Sequence, residues 1–193
     1  MDYDKILKNA LDKVFEDYKE NKIHFYSEKD LLAHLFYECR QLMGVLSYPL
    51  KLHVDKPTSI SVIKNIIVDL TLGDDEVLVE VKLEPDYLGQ AKSQKPVTNQ
   101  TTKVINNEVA RLVGLDDTIS SVKEIEYDFL KAMAYRQKGV LHSYVLCVDE
   151  DGYLRKNLAK SFITPQMKQL PLPWKSIQRK KDGKELYYIF WKA

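Results

Sequence analysis

Only two cysteines, Cys39 and Cys147, occur in 193 residues, and neither belongs to a C-x-x-C pair or another thiolate metal motif. A disulfide framework and a thiolate zinc site are therefore excluded, and the expectation is two reduced thiols in an intracellular protein. His24, His34, His53 and His142 include no i, i+4 pair, which argues against an imidazole zinc site. The seven glycines stand singly, so no glycine-rich phosphate loop is present, and Ser27, Ser61 and Ser143 lack a nucleophile elbow. No apolar run approaches the roughly 18 residues of a membrane span. The first residues, Met1-Asp2-Tyr3-Asp4-Lys5, are polar where a signal peptide has an apolar core. A soluble, cytoplasmic protein is expected, without internal repeats or low-complexity tracts.

The chain has 45% hydrophobic residues, enough for a substantial core. Its length suits one α/β domain spanning 1–193, with a basic extension over about 150–193. The net charge of +1 hides an asymmetry: Arg155 to Ala193 holds ten Lys or Arg against two acids. Tyr87 to Asn107 contains no acid, but does contain Lys92, Lys95 and Lys103.

Apolar spacing at Ile6, Leu7, Ala10, Leu11, Val14 and Phe15 predicts an amphipathic helix over Tyr3 to Glu20. Ser27 is a good N-cap for a second helix reaching Met43, with Asp30 as the acidic half of a capping box and Gly44 as the stop. That helix is expected to bury Leu31, Leu32, Leu35, Phe36, Cys39 and Leu42. Leu50 to Val54 reads as an edge strand. Helices are expected over Thr98 to Leu112 and Ser120 to Gln137, and a buried strand over Val140 to Val148. Asp149-Glu150-Asp151-Gly152 reads as a turn, Pro165, Pro171 and Pro173 as a loop, and Lys181-Asp182-Gly183 as the turn of a terminal hairpin. Glu124, Glu126 and Asp128 with Lys123 and Lys131 read as a solvated helix face. The expected architecture is a mixed central sheet flanked by helices, with a C-terminal basic β-hairpin.

The most informative feature is Asp69, followed by Glu80-Val81-Lys82. The acids lie in two apolar runs, Ile66 to Leu70 and Val77 to Leu83, which read as buried strands joined by a turn at Gly73-Asp74-Asp75. An antiparallel hairpin brings Asp69 and Glu80 together at one end. Two acids and a lysine there need a cation, a hydrogen bond or a partner charge. Mg²⁺ suits this role, because it takes oxygen ligands and commonly needs only one or two carboxylates. The basic stretch that follows is what a phosphate-backbone substrate requires. The alternative for Glu80 and Lys82 is an exposed cross-strand pair on one face.

Val68-Asp69, the spacing to Glu80-Val81-Lys82, and a preceding helix that opens Ser27-Glu28-Lys29-Asp30-Leu31-Leu32 resemble the PD-(D/E)xK nuclease superfamily. This group includes restriction enzymes and Holliday-junction resolvases. The resemblance covers Lys22 to Leu83 by motif and extends to Val148 by order of elements; Val68 stands where the motif's name has proline. It implies a restriction-endonuclease-like fold with its core over about 22–149, and a Mg²⁺-dependent nuclease, with Mn²⁺ able to substitute. Asp69, Glu80 and the Val81 carbonyl would hold the metal. Lys82 would act on the attacking water and the phosphate charge, and Glu28 on metal-bound water or a second ion. Glu38 competes with Glu28 for that helix position. Gln100 matches weakly a glutamine found after the lysine strand in some subfamilies. Lys92, Lys95 and Lys103, and then Arg179, Lys180 and Lys181, are candidate nucleic-acid contacts. DNA is the expected substrate, RNA is left open, and double-strand cutting implies a homodimer. Two other readings remain: a nuclease-fold binding or scaffold protein without cleavage, and a structural domain.

Overall fold

The computed structural model describes residues 1–44, 52–57, 63, 66–84, 101–150 and 152–193. Helix α1 (Tyr3–Lys19) begins at Asp2, whose carboxylate accepts from Lys5 N, and buries the expected apolar stripe from Leu7 to Tyr18. Helix α2 (Glu28–Met43) is capped by Ser27, whose Oγ accepts from Asp30 N at 3.3 Å. The Asp30 carboxylate returns to Tyr26 N at 3.1 Å, one residue earlier than a standard capping box. Gly44, at φ +77°, ends the helix. Leu42 is exposed rather than buried, because the inward stripe steps from Cys39 to Met43 at i+4 and leaves Leu42 pointing out.

Six strands form the main sheet in the order β1-β2-β3-β6-β8-β7. They are β1 (Leu52–Pro57), β2 (Ile67–Leu72), β3 (Val77–Glu84), β6 (His142–Asp149), β7 (Lys175–Gln178) and β8 (Glu185–Lys192). All neighbours are antiparallel except β3 and β6, which run parallel. The β2–β3 turn uses positive φ at Gly73 (+70°) and Asp75 (+62°), as the turn-rich sequence implies. The basic hairpin is no appendage, since β8 pairs with β6 along Tyr144 to Asp149.

Between β3 and β6 the expected helices are shorter than the sequence suggested. β4 (Thr102–Val104) and β5 (Ser121–Lys123) pair as a small antiparallel sheet, leaving α3 (Asn107–Val113) and α4 (Glu124–Gln137). A three-residue strand is too short to carry a readable period, so propensity on either side swamped it. After β6, the Asp149 carboxylate accepts from Gly152 N at 3.1 Å and Arg155 N at 2.8 Å. The acidic run is thus both turn and cap for α5 (Tyr153–Ser161), which lies within the expected basic extension; α6 (Pro165–Lys168) follows.

Strand alternation divides the core between two layers. Val77, Val79, Val81 and Leu83 of β3, with Tyr144, Leu146 and Val148 of β6, pack against α1 and α2. Leu78 of β3, with Val145 and Cys147 of β6, packs against α3, α4 and α5 through residues such as Val109, Phe129 and Leu158. By the same alternation, Glu80 and Lys82 stand on the α4 side of β3. Sheet aromatics serve the core: Tyr144 stacks on Phe190, while Tyr188 and Trp191 meet Phe15 and Phe129 at tilted angles.

Helix α4 overturns the solvated-face reading. Glu126, Asp128 and Lys131 are all buried. Glu126 accepts from Ile163 N, Thr164 N and Thr164 Oγ1 at 2.8–3.1 Å, tying α4 to the entry of α6. Glu126→Ala strands those donors in the interior and should cost about 3 kcal/mol. Urea unfolding checks this; a loss within about 0.5 kcal/mol, as at a surface position, would contradict it.

Candidate active site

The site begins where two strands separate. β2 pairs with β3 only from Leu70 opposite Val79 to Leu72 opposite Val77, and one step further the register sets Asp69 against Glu80. There β2 leaves β3: Leu70 and Leu72 pack with the α1–α2 layer, whereas Val68 packs with the α4 layer. Beyond the pairing, Val81 N–H donates to Asp69 Oδ2 at 2.7 Å. The N–H and C=O of one strand residue point the same way, so the Val81 carbonyl also faces this gap.

Helix α4 closes the gap from the other side. Glu80 has no exposed surface, and both its oxygens are taken: Oε1 accepts from Tyr135 OH at 2.7 Å, and Oε2 from Lys131 Nζ at 2.6 Å. Lys131 also pairs with Asp128 Oδ1 at 2.9 Å. Among the described residues Asp128 Oδ2 accepts no hydrogen bond, but it lies 3.5 Å from Lys82 Nζ. Lys82 reaches both oxygens of Glu28 at 3.3 Å, and Glu124 at 3.9 Å. Of the two helix acids weighed earlier, Glu28 is the one that meets Lys82; the charge of Glu38 acts on Lys13 and Cys39 instead.

Glu124, Asp128, Lys131 and Tyr135 follow one another at four, three and four residues, a single stripe of α4. That polar stripe at helical spacing was the available signal for three residues the motif did not name: Asp128, Lys131 and Tyr135.

Five carboxylates (Asp69, Glu80, Glu28, Asp128 and Glu124) thus gather around two buried ammonium groups. Burial pushes Glu28 up to about 7, against the pull of Lys82. Burial also raises Asp69 and Glu80, the latter against the attraction of Lys131. For Lys82 and Lys131, burial alone favours loss of the proton; the surrounding acids, Asp128 and Glu28 about the first and Glu80 and Asp128 about the second, outweigh it and hold both charged.

The remaining predicted contacts are spread out. Lys103, half-exposed on β4, sits at the rim, 3.5 Å from Glu124. Arg179 is buried beyond β7, three strands away from β3. It donates to Asn21 at 3.1 Å, lies 3.6 Å from Asp182 and covers the Tyr18 ring. Lys180 pairs with Glu20, and Lys181 is exposed. Lys92, Lys95 and Gln100 lie outside the described residues.

The donors suit a hard divalent ion in kind, all being oxygens, and in charge, since acids exceed lysines. In position they suit it only once Glu80 is released. Among the described residues, no three carboxylate, histidine or cysteine side chains converge as a ready-made metal cage.

The fold is an α/β protein with a mixed six-stranded sheet, one parallel pair and flanking helices. Among the described residues no helix is long and apolar enough to cross a membrane. Compared with protein-family models, curated proteins and solved structures, the chain matches none.

The raised acid at Glu28 fixes a pH dependence. From about 4.5, its ordinary value, to about 7, the folded protein keeps a proton that the unfolded chain has lost. With divalent ions chelated, stability should therefore fall as pH rises through that window. Glu28→Gln should flatten part of the fall. Denaturant midpoints measured across the range check this; an unchanged slope in the variant would contradict it.

Proposed function

We propose that the chain is a Mg²⁺-dependent endonuclease of the PD-(D/E)xK kind, with a restriction-endonuclease-like core, hydrolysing phosphodiester bonds in DNA. The observation that carries this reading is the meeting of Asp69, Glu80 and Lys82 where β2 leaves β3, with Glu28 brought onto Lys82 from α2. The order of elements supports it: a helix bearing Glu28, an antiparallel meander, a helical crossover, then a strand parallel to β3.

Asp69, Glu80 and the Val81 carbonyl are the residues to hold Mg²⁺ or Mn²⁺. Such an ion supplies Lewis acidity and a more acidic bound water. Lys82, kept charged by its acidic neighbours, orients the attacking water and steadies charge on the phosphate oxygens. Glu28, titrating at about 7, can hold or take the water's proton at its carboxylate. Water oxygen bonds to phosphorus and gives its proton to Glu28, the bond from phosphorus to the 3′-oxygen breaks, and that oxygen takes a proton from solvent. Lys103 at the rim contacts the phosphate backbone, as do Lys92, Lys95 and Gln100 in this proposal. The exposed Lys181 and the neighbouring Lys180 form a secondary contact, whereas Arg179 is already committed to Asn21 and Tyr18. Cutting both strands calls for two sites, hence a homodimer.

One observation favours the alternative, a nuclease-fold binding protein without cleavage: Lys131 and Tyr135 occupy both oxygens of Glu80. The test is cleavage by the purified protein with Mg²⁺ or Mn²⁺ on linear, supercoiled, branched and single-stranded DNA and on RNA. Lys82→Ala should slow cutting by about 100-fold or more while DNA binding persists, because binding rests mainly on the basic rim. Equal residual cleavage by wild type and by the Lys82→Ala, Glu80→Ala double variant would remove the enzyme reading and leave the binding one.

A further inference from the structure

The Lys131 ammonium is the group in direct contact with a carboxylate that the proposed metal needs. It lies 2.6 Å from Glu80 Oε2 and 2.9 Å from Asp128 Oδ1, with its side chain only 10% exposed. We infer that Lys131 is the site's resident cation, and that a divalent ion enters by displacing its ammonium from Glu80. This inference rests on the metal-dependent reading above.

The contacts are arranged for such an exchange. When Lys131 leaves Glu80 it keeps Asp128, one turn away on the same helix, so its charge is not stranded. Glu80 stays in place, because Tyr135 OH still holds Oε1, and only Oε2 is vacated. One cation replaces another at one oxygen, and the buried acid is never left bare, which is the costly state. Lys82 is built differently: its ion pairs among the described residues are with Glu28, Asp128 and Glu124. Both lysines put positive charge near the acids, but among the described residues Lys131 is the one paired with Glu80.

The experiment is calorimetric titration of the 193-residue chain with Mn²⁺, comparing wild type, Lys131→Met, Lys82→Met and Asp69→Asn. Lys131→Met should bind at least about tenfold more tightly than wild type, the scale of losing a direct competitor. Lys82→Met, which removes an equal nearby charge without freeing Glu80, should gain much less. Asp69→Asn should lose binding. If Lys131→Met is unfolded without metal, circular dichroism replaces calorimetry, and Mn²⁺ should refold it at concentrations that leave wild type largely unbound. Equal or weaker binding by Lys131→Met, an equal gain in Lys82→Met, or failure of Mn²⁺ to refold the variant would overturn the inference while leaving the nuclease reading standing. Absence of Mn²⁺ binding by wild type and by every folded variant would instead overturn the metal-dependent reading itself.

Discussion

Glu80 is a carboxylate with no exposed surface in the middle of a sheet, and it is tolerable only because α4 supplies Lys131 and Tyr135. Removing one partner of such a buried pair costs about 3–5 kcal/mol, whereas apolar side chains of similar size in place of the whole set are often neutral or stabilising. Leu78, on the same face of β3, is that simpler solution two residues earlier. The packing of α4 against β3 is therefore fixed by charge as well as by apolar contact. Stability alone does not explain five acids gathered about two lysines. The proposed cation-binding role would account for that excess of acid.

The same constraint links the parting of β2 to the chemistry. Were β2 to continue alongside β3, Val81 N–H would find a backbone carbonyl, and Asp69 would have no gap to fill. Because the pairing stops at Leu70, the Asp69 carboxylate takes that N–H, and a cluster of polar groups gathers beneath α4. Val68 meanwhile turns into the α4 layer and anchors the departing strand. Glu28, on the first turn of α2, reaches Lys82 from the opposite layer, so the cluster joins both sides of the sheet at one end.

Much of this was legible in the sequence, for physical reasons. Helices α1 and α2 announce themselves by caps and a single apolar stripe. The β2–β3 hairpin shows in two apolar runs around Gly73-Asp74-Asp75, and the terminal hairpin in Asp182-Gly183. Asp69, Glu80 and Lys82 stand out in the sequence because charges inside apolar runs demand partners, and each has one in the structure. Helix α4 was misread because its charged residues face the core: Glu126 caps a distant turn and Lys131 meets Glu80, so polarity and exposure separate. Pairings 51 and 55 residues apart, Lys131 and Tyr135 with Glu80, have no local signature. The role of Arg179, set by Asn21 and Tyr18 of the first helical region, was hidden for the same reason.

The central claim is that the acids at the β2–β3 parting form a divalent-cation site. The most direct measurement is a crystal structure of the protein grown with Mn²⁺ and a short DNA duplex, read by anomalous scattering. The expected result is a peak within about 2.0–2.2 Å of carboxylate oxygens of both Asp69 and Glu80, the bond length typical of small hard divalent ions. A fully occupied duplex complex with no anomalous peak there, and with Lys131 still bonded to Glu80, would contradict the account.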